Sequence, residues 1–219
     1  MSGIGLKYKI IYVIFILTII IVSSLTLVFL TGGFDGFNFN TEPIIETYHP
    51  NGTLSDPIQT SYFGFDGVAI SSGFDTYELS PIANYEISGK VVGVAYYKNE
   101  NLAVSPMDLC VVWGNMANRT DIVYTQGNRD CTFRATGSSL DIITHFSNSH
   151  IIPANDDILN KLQNVKVGDI VTIKGYLVNV KRTSSISSST WTWISSTSRS
   201  DTGNNACEII YVKGISIYR

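Results

Sequence analysis

The stretch Pro153–Val180, PANDDILNKLQNVKVGDIVTIKGYLVNV, carries the clearest structural signals in the chain. Asn155 can accept from the backbone of a following helix, and Asp156 and Asp157 suit the positive end of its dipole. Ile158, Leu159 and Leu162 then form an apolar stripe at helical spacing. Gly168-Asp169 turns the chain, and Asp169–Val180 reads as a β-branched strand with Gly175 in mid-run. One short helix followed directly by a long strand therefore sits inside whatever fold surrounds it.

The surroundings are strand-like. Tyr85–Tyr97 (YEISGKVVGVAYY) has strand character, with Gly89 and Gly93 as candidate bulges. Further short candidates are Leu109–Trp113, Ile122–Thr125, Cys131–Arg134, Ile142–Phe146, Trp191–Ser195 and Glu208–Tyr218. Gly127-Asn128 and Gly203-Asn204 supply turns. Thr183–Thr190 (TSSISSST) has seven hydroxyl residues in eight and reads as a hairpin tip between two strands. Several curved strands, one short helix, then more strands predict a mainly β domain over 61–219, a small OB-like barrel; a β-sandwich with one helix would read similarly.

The N-terminal region has a different character. Residues 10–30 are uncharged, 21 in a row (IIYVIFILTIIIVSSLTLVFL). About 20 apolar residues span a bilayer as a helix, the geometry that satisfies every backbone group in lipid. Lys7 and Lys9 precede the run and the next basic residue is Lys90, so residues 1–9 are expected in the cytoplasm and the rest outside. The run reads as an uncleaved anchor. The rival, a cleaved signal peptide, has a shorter apolar region and an A-x-A-like site that is not found here. Residues 31–60, rich in Gly, Asn, Pro and Thr, read as a spacer.

Composition limits the function. The chain has 219 residues, 44% hydrophobic and 15% charged, with a net charge of −3. Past residue 31 there are 13 basic and 18 acidic residues. That balance argues against a nucleic-acid partner. An envelope protein, peptide or glycan is the expected partner, alongside the bilayer itself.

A second set of residues carries a resemblance. His145-x-x-Asn148-x-His150-x-Ile152-Pro153-Ala154, Gly168-Asp169-x-Val171, Gly175-Tyr176-Leu177-Val178, Trp193-x-Ser195-Ser196-x-Ser198-Arg199-x-Asp201-Thr202-Gly203 and Ala206-Cys207-Glu208, with Ser80-Pro81-Ile82-Ala83 and Trp113-Gly114-x-Met116 upstream, resemble a family of uncharacterised prokaryotic proteins. Members usually carry an N-terminal membrane segment. The resemblance covers roughly 79–218 and implies no activity.

The chemistry-bearing residues are sparse. His145, Asn148, His150, Arg199 and Asp201 are the candidate ligand contacts. Arg199 lies in a hydroxyl-rich loop that can hold an anion, or can pair with Asp201 to fix the loop. His145 and His150 with Asp201, Cys207 or Glu208 include metal-ligating types, but their spacing matches no zinc signature, so no metal or other cofactor is expected. Cys207, His150 and Asn148 include the types of a thiol nucleophile, a base and an orienter. This gives the alternative reading, a hydrolase or metal-binding enzyme with a His/Asp/Cys pocket. Trp113, Trp191 and Trp193 suit either stacking on a ligand or packing in a core. Cys110 and Cys131 are the preferred disulfide pair, closing 21 residues. Asn51 and Asn118 head glycosylation sequons. The leading expectation is a membrane-anchored extracytoplasmic binding or structural module.

Overall fold

The computed structural model describes residues 55–97, 104–136, 140–201 and 206–219. The cytoplasmic tail, the 10–30 span, most of the spacer, Asn51 and the Gly203-Asn204 turn lie outside the described residues. Among those described, no helix is long and apolar enough to cross a membrane.

The described part is mostly β with few helices. Its strands are β1 (Ile58–Ser61), β2 (Val68–Ser72), β3 (Asp75–Tyr96), β4 (Met107–Val112), β5 (Ile122–Gln126), β6 (Cys131–Ala135), β7 (Phe146–Pro153), β8 (Ile170–Ser184), β9 (Thr190–Trp193) and β10 (Glu208–Tyr218). Two short helices, α1 (Leu140–Thr144) and α2 (Asp156–Leu162), flank β7. Asn155 caps α2 as its sequence requires, its side chain accepting from Ile158 N at 2.9 Å. Such a cap contributes about 1 kcal/mol.

The main sheet runs β1-β3-β4-β7-β10-β8-β9, and β3 also pairs β8. The β7–β10 ladder is parallel and the others are antiparallel. β3 is long because it is shared: β2, β1 and β4 succeed one another along it, while β8 pairs Asp75–Lys90. Such coiling needs breaks in the ladder. Register shifts fall between Val91 and Gly93 in β3 and between Val212 and Gly214 in β10. At Gly175 a Cβ would lie 2.0 Å from the Tyr211 carbonyl oxygen, so only glycine lets β8 and β10 approach there.

The largest apolar cluster draws on β3, β4, β7, β8 and β10, with Ile87, Leu109, Val111, Ile151, Ile173, Leu177, Ile210 and Val212 among its members. Ile158 and Leu162 of α2 close it. A fully buried leucine such as Leu162 contributes about 1.5–3 kcal/mol. The opposite side of the same strands carries a second cluster, with Ile152, Val178, Val180, Ile209 and Tyr211. The hairpin β5–β6 forms a separate two-stranded sheet. Cys110 on β4 and Cys131 on β6 are joined by a disulfide, with Cα atoms 6.2 Å apart.

One local expectation is overturned. Ile142–Phe146 is not a strand: Leu140–Thr144 is a turn of helix, and the strand is Phe146–Pro153. Ile142 is fully buried beside Val112, Met116 and Ile122, so tertiary packing overrides the strand preference of its β-branched neighbours.

Candidate ligand-binding site

Strand register assembles the site. On β4 and β7, Asp108 stands opposite His150 and Cys110 opposite Asn148. The parallel ladder sets Glu208 opposite Ser149, which brings Cys207, just before β10, beside Asn148. Even positions of β7 face away from the main core, because Ile151 belongs to that core and Ile152 to the second cluster. Asn148, His150, Asp108 and Cys207 therefore share one face.

The centre of this face is a buried carboxylate. Asp108 is wholly buried and accepts from three donors: Arg129 Nη1 at 3.1 Å and His150 Nδ1 at 2.9 Å on Oδ1, and the Tyr97 hydroxyl at 3.0 Å on Oδ2. A carboxylate with no proton can only accept, so His150 carries its proton on Nδ1 and turns Nε2 away from Asp108. The Arg129 guanidinium also lies over the Tyr97 ring, 3.6 Å from its centroid, and the Tyr97 hydroxyl accepts from Arg129 N at 2.8 Å. Burial pushes the Tyr97 hydroxyl up to about 12. Arg129 has a φ of 59°, and the β5–β6 turn holds it there. Desolvating an ion pair is costly, and these added hydrogen bonds are what offset the cost.

Beside this network lies a cavity of about 730 Å³. Asn148, His150, Asp201 and Cys207 all line it. Sequence reading misses Arg129, Asp130 and Phe133 from the hairpin and Phe146 of β7, whereas Trp193 of β9 is one of the tryptophans it offers for stacking on a ligand or packing in a core. The His150 and Trp193 rings lie 4.4 Å apart. Asn148 is only 4% exposed. Its amide donates to the Arg129 carbonyl at 3.2 Å and to Cys207 Sγ at 3.5 Å, while its Oδ1 has no partner. A buried acceptor without a donor costs roughly 1–3 kcal/mol. Burial raises the Cys207 thiol above its ordinary value, although the Asn148 amide pulls the other way.

Two of the sequence candidates lie elsewhere. His145 precedes β7 and faces Asp56 (Nε2 to Oδ1, 3.6 Å) and Thr144 (2.9 Å), with its ring 6.2 Å from Trp113. Arg199 points into the main core. It pairs with Glu208 at 2.6 Å and donates to the Tyr85 hydroxyl at 3.0 Å, so its partner is Glu208 and not Asp201. Asp201 instead accepts from Ser196 Oγ at 2.6 Å. Burial pushes the Glu208 carboxyl up, against the pull of Arg199 and of the Ser147 hydroxyl that donates to it. This pair fixes the 195–201 segment along the cavity edge. Trp113 is core, donating Nε1 to Asp56 at 3.0 Å, whereas Trp191 is exposed and packs 5.9 Å from Trp193. Asn118 is exposed at the end of a 3-10 turn.

Among the described residues, no three His, Cys, Asp or Glu side chains gather so as to hold a metal ion. Comparison with family models, curated proteins and solved structures yields no match to this chain.

Proposed function

We propose that the chain is a membrane-anchored, extracytoplasmic binding module of the cell envelope, with the cavity beside Asn148 as its ligand site. The domain is read as an OB-type barrel. Supporting this are the strand order β3-β4-β7-β10-β8 with β3 paired back to β8, and α2 between β7 and β8. The uncharged run 10–30 behind Lys7 and Lys9 supports the anchor, and the Cys110–Cys131 bridge suits an oxidising compartment.

The observation that carries the binding reading is the cavity of about 730 Å³ walled by Asn148, His150, Phe133 and Trp193. Asn148 adds a buried Oδ1 without a donor, and buried acceptors are rarely left so. The test is ligand-observed NMR on the full chain in micelles with short peptides and N-acetylated oligosaccharides. Saturable binding that Asn148→Leu abolishes is expected. Binding by no probe, or binding indifferent to Asn148→Leu, overturns the reading.

A thiol hydrolase is the second reading, favoured by one observation: Cys207 lies in the same cavity as a histidine oriented by a carboxylate. The raised Cys207 thiol ranks it below binding, since the thiolate is the nucleophile. Hydrolysis of a peptide or ester probe that Cys207→Ser removes, with binding retained, would reverse that ranking.

A further inference from the structure

We infer that the cavity takes a primary ammonium on an alkyl stem, the chemistry of a lysine-type side chain of a peptide; this rests on the cavity being the binding site. Three observations converge. The first is charge. Arg129 is the sole Lys or Arg among the lining residues, and its Nη1 is paired with the buried Asp108. That leaves the Asp130 and Asp201 carboxylates, neither of which forms a salt bridge among the described residues. Asp201 receives the Ser196 hydroxyl on Oδ2 and retains further acceptor sites. A cation is therefore favoured and an anion repelled.

The second is the orphaned acceptor. Asn148, one of the lining residues, keeps a buried Oδ1 with no donor, and its own amide hydrogens are already engaged. An ammonium brings three donors and no acceptor, so it suits a lining that offers acceptor groups. The third is the wall. Phe133, Phe146 and Trp193 line the same space, giving an apolar lining for a methylene stem and aromatic faces that attract a cation. A neutral sugar satisfies Asn148 but leaves both carboxylates uncompensated.

The test is calorimetric titration of the full chain in micelles with three probes: Nα-acetyl-lysine-N-methylamide, its Nε-acetylated counterpart, and a neutral N-acetylated oligosaccharide. The charged probe is expected to bind at least about tenfold tighter than the acetylated one, because charge-assisted hydrogen bonds are the stronger kind. Asp201→Asn, with Asp130→Asn as the second variant should the first not fold, should erase that preference. Added salt should weaken the charged probe only. Equal binding of the charged and acetylated probes, or a preference surviving both variants, overturns the ammonium inference and leaves the cavity reading standing. Oligosaccharide binding with both lysine probes silent does the same. Failure of every probe overturns both.

Discussion

Asp108 and His150 face each other across the β4–β7 ladder, with the carboxylate 2.9 Å from the ring nitrogen Nδ1. Both are almost wholly buried, and Arg129 completes the group from a hairpin outside the main sheet. The hairpin is thus tied to the sheet by this charge, by the Asn148 amide on the Arg129 carbonyl and by the Cys110–Cys131 bond.

Removing the carboxylate should therefore strand a guanidinium. Asp108→Ala is expected to destabilise the chain by about 3–5 kcal/mol, the usual loss when one member of a buried pair is deleted. His150→Gln, which keeps a donor near Asp108, should cost less than half of that. Urea unfolding followed by tryptophan fluorescence checks both. Equal costs for the two variants would mean that the ion pair is not the stabilising element.

Reduction of the disulfide should loosen the same hairpin. Cys110 and Cys131 close 21 residues, and in the chain-entropy picture the bond contributes about 3 kcal/mol. Cys110→Ala/Cys131→Ala should lower the unfolding midpoint accordingly. Amide exchange should quicken most in β5 and β6, which pair only with each other in a two-stranded sheet.

The Cys207 thiol should be sluggish. Burial holds it above its ordinary value of 9.0, so the thiolate is scarce at neutral pH. Iodoacetamide labelling in the folded chain should rise with a midpoint above pH 9.0, and unfolding in urea should bring the midpoint down. Asn148→Ala removes the amide that favours the thiolate and should move it higher still.

Arg199→Ala should give a pH-dependent loss. In the folded chain Glu208 is held above its ordinary carboxyl value of 4.5, so the folded state binds this proton more tightly than the unfolded one. Stability from this group is present below about pH 4.5 and is lost as pH rises toward the folded value. Without Arg199 the folded value rises further. The variant should then lie close to wild type at pH 4 and fall behind by about 3 kcal/mol at pH 8. A loss that is flat with pH would refute the coupling.

The helix α2 and the strands β8 and β10 were legible because their signals are local: a capping Asn, two Asp, an apolar stripe, and β-branched runs bounded by glycine. Strand β7 was not. Its first five residues, Phe146-Ser147-Asn148-Ser149-His150, offer no apolar alternation, because polar groups occupy both faces. Ser147 bonds Glu208 on the core side, and His150 bonds Asp108 on the other. The site shared that fate. Asn148, His150, Asp201 and Cys207 were named from sequence and meet at one cavity, but Asp108 and Arg129 were not, since only strand pairing brings them to His150. Of the two readings of Arg199, anion contact or a pair with Asp201, neither names Glu208, the buried carboxyl that holds it from farther along the chain.

The parallel pairing of β7 with β10 also sets a schedule. Residues 208–218 lie between β7 and β8, both made earlier. Until residue 218 is available, β7 and β8 each keep an unpaired edge, and Ser147 and Arg199 have no Glu208 to hold. A ribosome paused anywhere before that point would carry a sheet with a gap at its centre. The sheet is thus completed late, and the edges of β7 and β8 stay open to stray strand partners from the time each is made until β10 arrives.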